Sequence, residues 1–73
     1  MTLAEAIKTI RQKALLSQEE FAKANSVSLA SVNRWEVGKS RPNLCAMKAL
    51  KKFCTDNNLP YELIEQSWLE HKN

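Results

Sequence analysis

The chain has few of the residues that mark turns, metal sites and membrane spans. Its 73 residues include one glycine, two prolines, two cysteines and one histidine. A run of about 18 apolar residues is missing, so we expect no transmembrane helix and no membrane association. The N-terminal stretch MTLAEAIKTIRQK has no apolar segment of signal-peptide length. We therefore expect a cytoplasmic protein.

The scarcity of cysteine and histidine argues against metal binding and catalysis. Cys45 and Cys54 are nine positions apart, which on one helix places them about 180° from each other and prevents pairing. We expect two reduced thiols. His71, near the C-terminus, has no partner pattern for zinc or for a nucleophile. No catalytic residue, metal site or cofactor is predicted, and the protein is not expected to be an enzyme.

Composition and charge indicate one small globular domain over residues 1–73. Hydrophobic residues make up 44% of the chain and charged residues 26%, which is typical of folded proteins. The net charge of +3 is unevenly distributed, because residues 39–53 carry five basic and no acidic side chains. Residues 54–73 carry one lysine against four acids. The basic stretch is either a contact for a polyanion or a solvated helix face.

Helix signals occur along the whole chain, whereas strand signals are missing. Thr2 with Glu5 and Ser17 with Glu20 fit capping boxes, and Ser28 and Asn43 are suitable N-caps. Apolar residues then recur at helical spacing. Gly38 suits a helix end, and Pro60 suits the first turn of a last helix over about 60–70. The sequence predicts an all-α fold of five helices joined by short turns.

The second and third predicted helices are short and closely spaced. Ser17–Ala24 and Leu29–Glu36 are joined by four residues, Asn25 to Ser28. A helix, a tight turn and a second helix form a helix-turn-helix unit, here about 17–37. In such units the second helix enters the DNA major groove.

The segment from Ile10 to Pro42, IRQKALLSQEEFAKANSVSLASVNRWEVGKSRP, resembles the Cro/repressor-type (XRE-like, lambda-repressor-like) helix-turn-helix proteins. The specific matches are LSQE at 16–19, and RWEVGK at 34–39 followed by Pro42. The resemblance implies a compact five-helix lambda-repressor-like domain that binds double-stranded DNA. It also implies a bacterial or phage transcription regulator, either a repressor or a Cro-like switch.

A protein-binding module on the same fold, such as an antitoxin or an accessory domain, is the alternative. A toxin-binding tail would favour that alternative, and only a few residues follow the fifth predicted helix. We therefore prefer the DNA-binding interpretation.

The resemblance assigns DNA contacts to matching positions. Gln18 corresponds to a glutamine that binds phosphate, and Arg34 to a residue that reads bases. Arginine binds guanine O6 and N7 through two hydrogen bonds, although a plain phosphate contact is the alternative for Arg34. The residues after the third helix are expected to meet the DNA backbone. The full predicted set is Gln18, Ser28, Leu29, Ala30, Ser31, Asn33, Arg34, Lys39, Ser40 and Arg41.

Other matching positions are expected to be structural. An Arg11–Glu36 salt bridge is implied between the first helix and the end of the third. The wedge between helices two and three is expected to contain Phe21, Ala22, Val27, Val32 and Trp35. Trp35 is thus expected in the core rather than stacked on a base.

The turn departs from the family pattern at Asn25 and Ser26. The family usually has glycine at the position of Ser26, because that residue takes a positive φ. Either the second helix ends early and Asn25 adopts the left-handed conformation, or the Asn25 amide is buried with bonds to the turn. We expect the former.

The last predicted helix is the candidate dimer contact. Tyr61, Ile64 and Trp68 recur at i, i+3 and i+7, although Trp68 packing onto its own core is the alternative. A homodimer on a palindromic operator, with half-sites about 34 Å apart, is the expected DNA complex. No small-molecule effector site is evident from the sequence.

Overall fold

Five α-helices and short turns make up residues 1–70, the part of the chain that the computed structural model describes. In chain order the helices are α1 (Leu3–Lys13), α2 (Gln18–Ala24), α3 (Leu29–Glu36), α4 (Leu44–Asp56) and α5 (Glu62–Glu70). No strand occurs in this part of the chain. The all-α prediction with five helices is confirmed. His71 lies outside the described residues.

The first four helices begin at the predicted N-caps because short polar side chains satisfy their first N–H groups. In α1, Thr2 Oγ1 accepts from Glu5 N–H (3.1 Å) while Glu5 Oε1 accepts from Thr2 N–H (2.8 Å). Ser17 and Glu20 form the same box at the start of α2. These hydrogen bonds, chiefly the one from the cap's backbone N–H, lower the pKa of both glutamates. The caps of α3 and α4 are Ser28 and Asn43.

The start of α5 differs from the prediction. The sequence places Pro60 in the first helical turn, but α5 begins at Glu62. The Pro60 carbonyl accepts from Leu63 N–H at 3.1 Å, which closes a tight turn just before the helix. Proline tolerates this position because it has no N–H to leave unpaired.

The core is formed by apolar residues from all five helices. Helix α1 packs against α3 and α5, and α2 packs against α3. Phe21 of α2 meets Phe53 of α4 edge to face, with ring centroids 5.3 Å apart, a favoured aromatic geometry. Fully buried side chains include Ile7, Ile10, Phe21, Val32, Leu50, Cys54 and Ile64.

The turn between α2 and α3 corrects the prediction for Asn25. Asn25 has a φ of −106° and is 3% exposed, whereas Ser26 takes the left-handed conformation at a φ of 55°. The Asn25 amide is buried, and its Nδ2 donates to the Phe21 carbonyl at 2.9 Å. The expectation that Asn25 would adopt the left-handed conformation was wrong. The Asn25 side-chain amide caps the Phe21 carbonyl instead, and Ser26 takes the left-handed conformation that reverses the direction of the chain.

Three further turns contain left-handed residues, at Leu15, Gly38 and Asn58. Gly38 ends α3 with a φ of 81°, as its position predicts. Leu15, between α1 and α2, has a φ of 59° and a side chain 90% exposed. Leucine gives no local signal for this conformation, which its Cβ disfavours. Leu15 N–H donates to the Gln12 carbonyl and Leu16 N–H to the Arg11 carbonyl, and this C-terminal cap of α1 requires the left-handed residue.

No helix within residues 1–70 has both the length and the hydropathy that a membrane span requires.

Candidate nucleic-acid interface

Helices α2 and α3 are held together by an apolar wedge. Phe21 and Ala22 of α2 are buried with Val32 and Trp35 of α3, and Val27 packs partly buried against them. Val27 N–H donates to the Ala22 carbonyl at 3.0 Å, which closes the turn onto the end of α2. Trp35 is a core residue, as expected.

The opposite face of α3 is exposed and mainly polar. Ala30, Asn33 and Arg34 lie at i, i+3 and i+4, so they share one side of the helix. Leu29 is also exposed, one turn before Asn33. The structure thus brings together four of the predicted DNA contacts. Val37 is exposed four positions after Asn33 and extends this face, which the i+4 spacing would have indicated.

Ser28 and Ser31 form the N-terminal end of this helix. Ser28 Oγ accepts from Ser31 N–H at 3.0 Å and donates to Ser31 Oγ at 2.9 Å. Ser31 is half-buried on the flank of α3, beside a cavity of about 450 Å³ that Ser40, Arg41 and Cys45 also line. The Ser28 hydroxyl is therefore the N-cap of α3, and the Ser31 hydroxyl is hydrogen-bonded to it.

A network centred on Glu36 fixes the far end of α3. Arg11 donates from Nε to Glu36 Oε2 (2.7 Å) and from Nη2 to Oε1 (3.0 Å). Its Nη1 donates to the Leu16 carbonyl at 2.9 Å. The hydrogen bond with Glu36 raises the pKa of Arg11. These are the two residues implied as an ion pair, and the pair ties α1 to α3.

Gln18 joins the same network. Its Nε2 donates to Glu36 Oε1 at 3.1 Å, which places the side chain at the start of α2 against the end of α3. An amide group carries two N–H donors, so one of them is used here. The side chain of Gln18, which is predicted to bind a DNA phosphate, is therefore held by the Arg11–Glu36 ion pair.

The loop after α3 (residues 37–43, the α3–α4 loop) carries the predicted backbone contacts. Lys39 N–H donates to the Arg34 carbonyl at 2.9 Å, and the side chains of Lys39 and Ser40 are exposed. Arg41 turns toward α5, where its guanidinium carbon lies 4.1 Å from the centroid of the Trp68 ring. Of the three predicted loop residues, Arg41 is thus in contact with α5.

Comparison with known proteins also identifies a helix-turn-helix domain. The family model described as "Helix-turn-helix" matches residues 7–54. The chain belongs to the XRE-type helix-turn-helix family. One relative is the "HTH-type transcriptional activator BcrR" of Enterococcus faecalis, with 34% identity over 53 residues. The match covers 73% of this chain and 26% of that protein, so the chain spans about a quarter of the relative's length. The fold is accordingly the lambda-repressor-like one, and the domain is of the DNA-binding type found in transcription regulators.

The three residues predicted as a dimer contact of this helix-turn-helix domain, Tyr61, Ile64 and Trp68, do not all face outward. Ile64 is fully buried in the core, so its assignment as a dimer contact was wrong. Tyr61 and Trp68 are half-buried. Trp68 folds back, and its Nε1 donates to the Pro42 carbonyl at 2.7 Å. This side of α5 faces the rest of the domain, because Ile64 packs in the common core.

A groove between α4 and α5 contains exposed apolar residues that the sequence did not single out. Its volume is about 220 Å³, and Leu44 and Leu69, both exposed, line it with Trp68. Lys48 and Lys51 lie along the α4 side and Glu65 on the α5 side.

The basic stretch 39–53 does not form one surface in the helix-turn-helix domain. Lys39 lies just beyond α3, whereas Lys48 and Lys51 border the α4–α5 groove. Lys52 pairs with Asp56 at 2.8 Å across one helical turn. Helix α4 separates charges that are neighbours in the sequence, because residues three and four apart share a face.

Proposed function

We propose that this domain binds double-stranded DNA in a sequence-specific manner and regulates transcription, with α3 in the major groove. The exposed face of α3 carries the proposal, because Ala30, Asn33 and Arg34 project from a helix that is anchored by a buried opposite face. A rigid helix with an exposed polar side is what base reading in the major groove requires.

The contacts divide into base reading and backbone binding. Arg34 is the proposed guanine reader, and Leu29 and Ala30 offer apolar contact to thymine methyl groups. Asn33 and Ser31 flank them. Gln18, Ser28, Lys39, Ser40 and Arg41 are the proposed backbone ligands. Gln18 has support from its fixed position, because the Arg11–Glu36 pair holds its amide at the start of α2.

We further propose that the protein binds a palindromic operator as a homodimer. One recognition helix reads only a few base pairs, and two-fold dimers double the site with half-sites about 34 Å apart. The α4–α5 groove supports this proposal, since basic Lys48 and Lys51 face acidic Glu65 across exposed apolar residues. A two-fold contact can pair those lysines with the partner's acids.

A repressor or a Cro-like switch is the proposed outcome of operator binding. Activation is the second candidate, and the Enterococcus faecalis relative, a transcriptional activator, favours it.

Selection of bound fragments from a random DNA pool tests the proposed function. We expect enrichment of a two-fold symmetric sequence with half-sites separated by about one helical turn. Recovery of an unenriched pool contradicts sequence-specific binding, and enrichment of a single unrepeated half-site contradicts the homodimer.

A further inference from the structure

The indole of Trp68 joins the end of α5 to the α3–α4 loop. Its Nε1 donates to the Pro42 carbonyl at 2.7 Å. The guanidinium of Arg41 lies over the ring, and Arg41 Nη1 donates to the Trp68 carbonyl at 3.3 Å. Two successive loop residues thus contact Trp68. Pro42 accepts from its indole N–H, and Arg41 contacts its ring face and its backbone carbonyl.

The loop has little other backbone support within residues 1–70. From the α3 side, the last backbone hydrogen bond that reaches it joins Lys39 N–H to the Arg34 carbonyl. The next backbone acceptor is Asn43, which already caps α4 and accepts from Met47 N–H. Between these points the chain contains Pro42, which has no N–H to donate. The contacts of Arg41 and Pro42 with Trp68 lie between these two points.

We propose that Trp68 is a positioning residue for DNA binding, because it holds the α3–α4 loop where Lys39 and Ser40 meet the phosphates beside α3. This inference rests on the proposed function. A loop that is not held there meets fewer phosphates in the complex, so binding is weaker and releases fewer counterions. Trp68 itself contacts no DNA in this arrangement.

The conservative variant Trp68→Phe separates the two contacts. Phenylalanine keeps an aromatic face for Arg41 but lacks the N–H that binds the Pro42 carbonyl. Trp68→Leu removes both side-chain contacts and keeps the backbone carbonyl that accepts from Arg41. Gln66→Ala is the matched control, because Gln66 is exposed on the same helix two positions earlier.

Binding to a labelled short duplex of random sequence is measured by fluorescence anisotropy over a series of KCl concentrations. We expect Trp68→Phe to weaken binding roughly threefold to tenfold, the range for one hydrogen bond. The salt slope should become shallower by about 0.9 for each phosphate that the variant no longer binds. Trp68→Leu should weaken binding further, and Gln66→Ala should match the wild type.

Amide hydrogen exchange of the free protein gives a second, DNA-independent measurement. We expect Trp68→Phe to speed exchange at residues 39–41 while the amides of α1 keep their wild-type protection, which also shows that the variant is folded.

The outcomes separate the inference from the proposed function. A wild-type protein that fails to bind any duplex contradicts the proposed function. Binding by the wild type with equal affinity and salt slope for Trp68→Phe and Gln66→Ala overturns the role of Trp68 alone. A lower affinity with an unchanged salt slope also overturns it, because the phosphates would then be bound as in the wild type.

Discussion

Arg11 and Glu36, 25 positions apart, are joined by two parallel N–H···O bonds of 2.7 and 3.0 Å. Their side chains are only 13% and 4% exposed. The same carboxylate accepts from Gln18, and the same guanidinium donates to the Leu16 carbonyl. The ends of three helices therefore meet at one ion pair, which sets the direction in which α3 leaves the core.

Loss of one partner of this pair should be strongly destabilising. We expect Glu36→Ala to lower the free energy of unfolding by about 3 kcal/mol, because Arg11 is left with an unpaired and mostly buried charge. Urea unfolding measures the effect. Asp56→Ala removes the exposed partner of Lys52 and serves as the control, with no measurable change expected. Equal losses in both variants would show that burial of the pair contributes nothing.

Replacement of Asn25 by leucine should stabilise the protein. Oδ1 of Asn25 is buried without a hydrogen-bond partner within the described residues, and such an atom costs about 1–3 kcal/mol. The Phe21 carbonyl keeps its bond from Asn25 N–H after the change. We expect Asn25→Leu to raise the midpoint of thermal unfolding and Asn25→Asp to lower it, because a carboxylate there would be a buried charge. A lower midpoint for the leucine variant contradicts the prediction.

Glycine at Leu15 should also increase stability. Leu15 takes a φ of 59° with an exposed side chain, so glycine relieves strain and sacrifices no core packing. We expect a gain of up to about 1 kcal/mol for Leu15→Gly, since the greater entropy of glycine in the unfolded chain offsets part of the relief. Asn58→Gly is the control at a φ of 54°, where asparagine is already tolerated. Similar gains at both positions in chemical unfolding would count against strain at Leu15.

The two thiols should differ in reactivity in the folded protein. Cys45 is exposed and Cys54 is buried, and burial, helped by Glu62, raises the pKa of the Cys54 thiol from 9.0 to about 11. A disulfide reagent should therefore modify one thiol per chain in buffer and two in denaturant, as mass spectrometry will show. Cys45→Ser should leave no reactive thiol in buffer. Modification of both at one rate would contradict this assignment.

The raised pKa of the Cys54 thiol also affects stability at alkaline pH. Above pH 9.0 the unfolded chain ionises this thiol while the folded protein does not, so stability falls as the pH rises toward 11. Cys54→Ala should reduce this part of the pH dependence in urea unfolding.

Arg34 and Lys39 should affect DNA binding in different ways. Arg34→Ala should reduce the preference for the selected site over random duplex by about 1–3 kcal/mol, since the variant cannot hydrogen-bond to a base. Lys39→Ala should weaken binding to both duplexes alike and make the salt slope shallower by about 0.9. Titrations of both duplexes with each variant measure this. An equal loss on both duplexes for Arg34→Ala would assign it to phosphate.

The starts of the first four helices could be predicted because the signals are local. A cap side chain and the N–H that it accepts from lie three positions apart, as in Thr2 with Glu5, so neither depends on distant residues. The Arg11–Glu36 pair came from the family resemblance instead. The conformation of Asn25 was predicted wrongly, because the burial of its amide depends on how α2 and α3 pack.

The sequence by itself determined the five helices and the position of the turn between α2 and α3, because capping and helical periodicity act over a few residues. It marked Gly38 correctly as a left-handed position and Asn25 wrongly. Leu15 and Ser26 also adopt this conformation, each in a turn whose N–H groups bond back to the preceding helix. The tertiary structure decided how the helices pack. It likewise decided that Ile64 is buried and that Trp68 contacts the α3–α4 loop. A periodic stripe cannot specify this, because the buried side of a helix depends on neighbours far away in the chain.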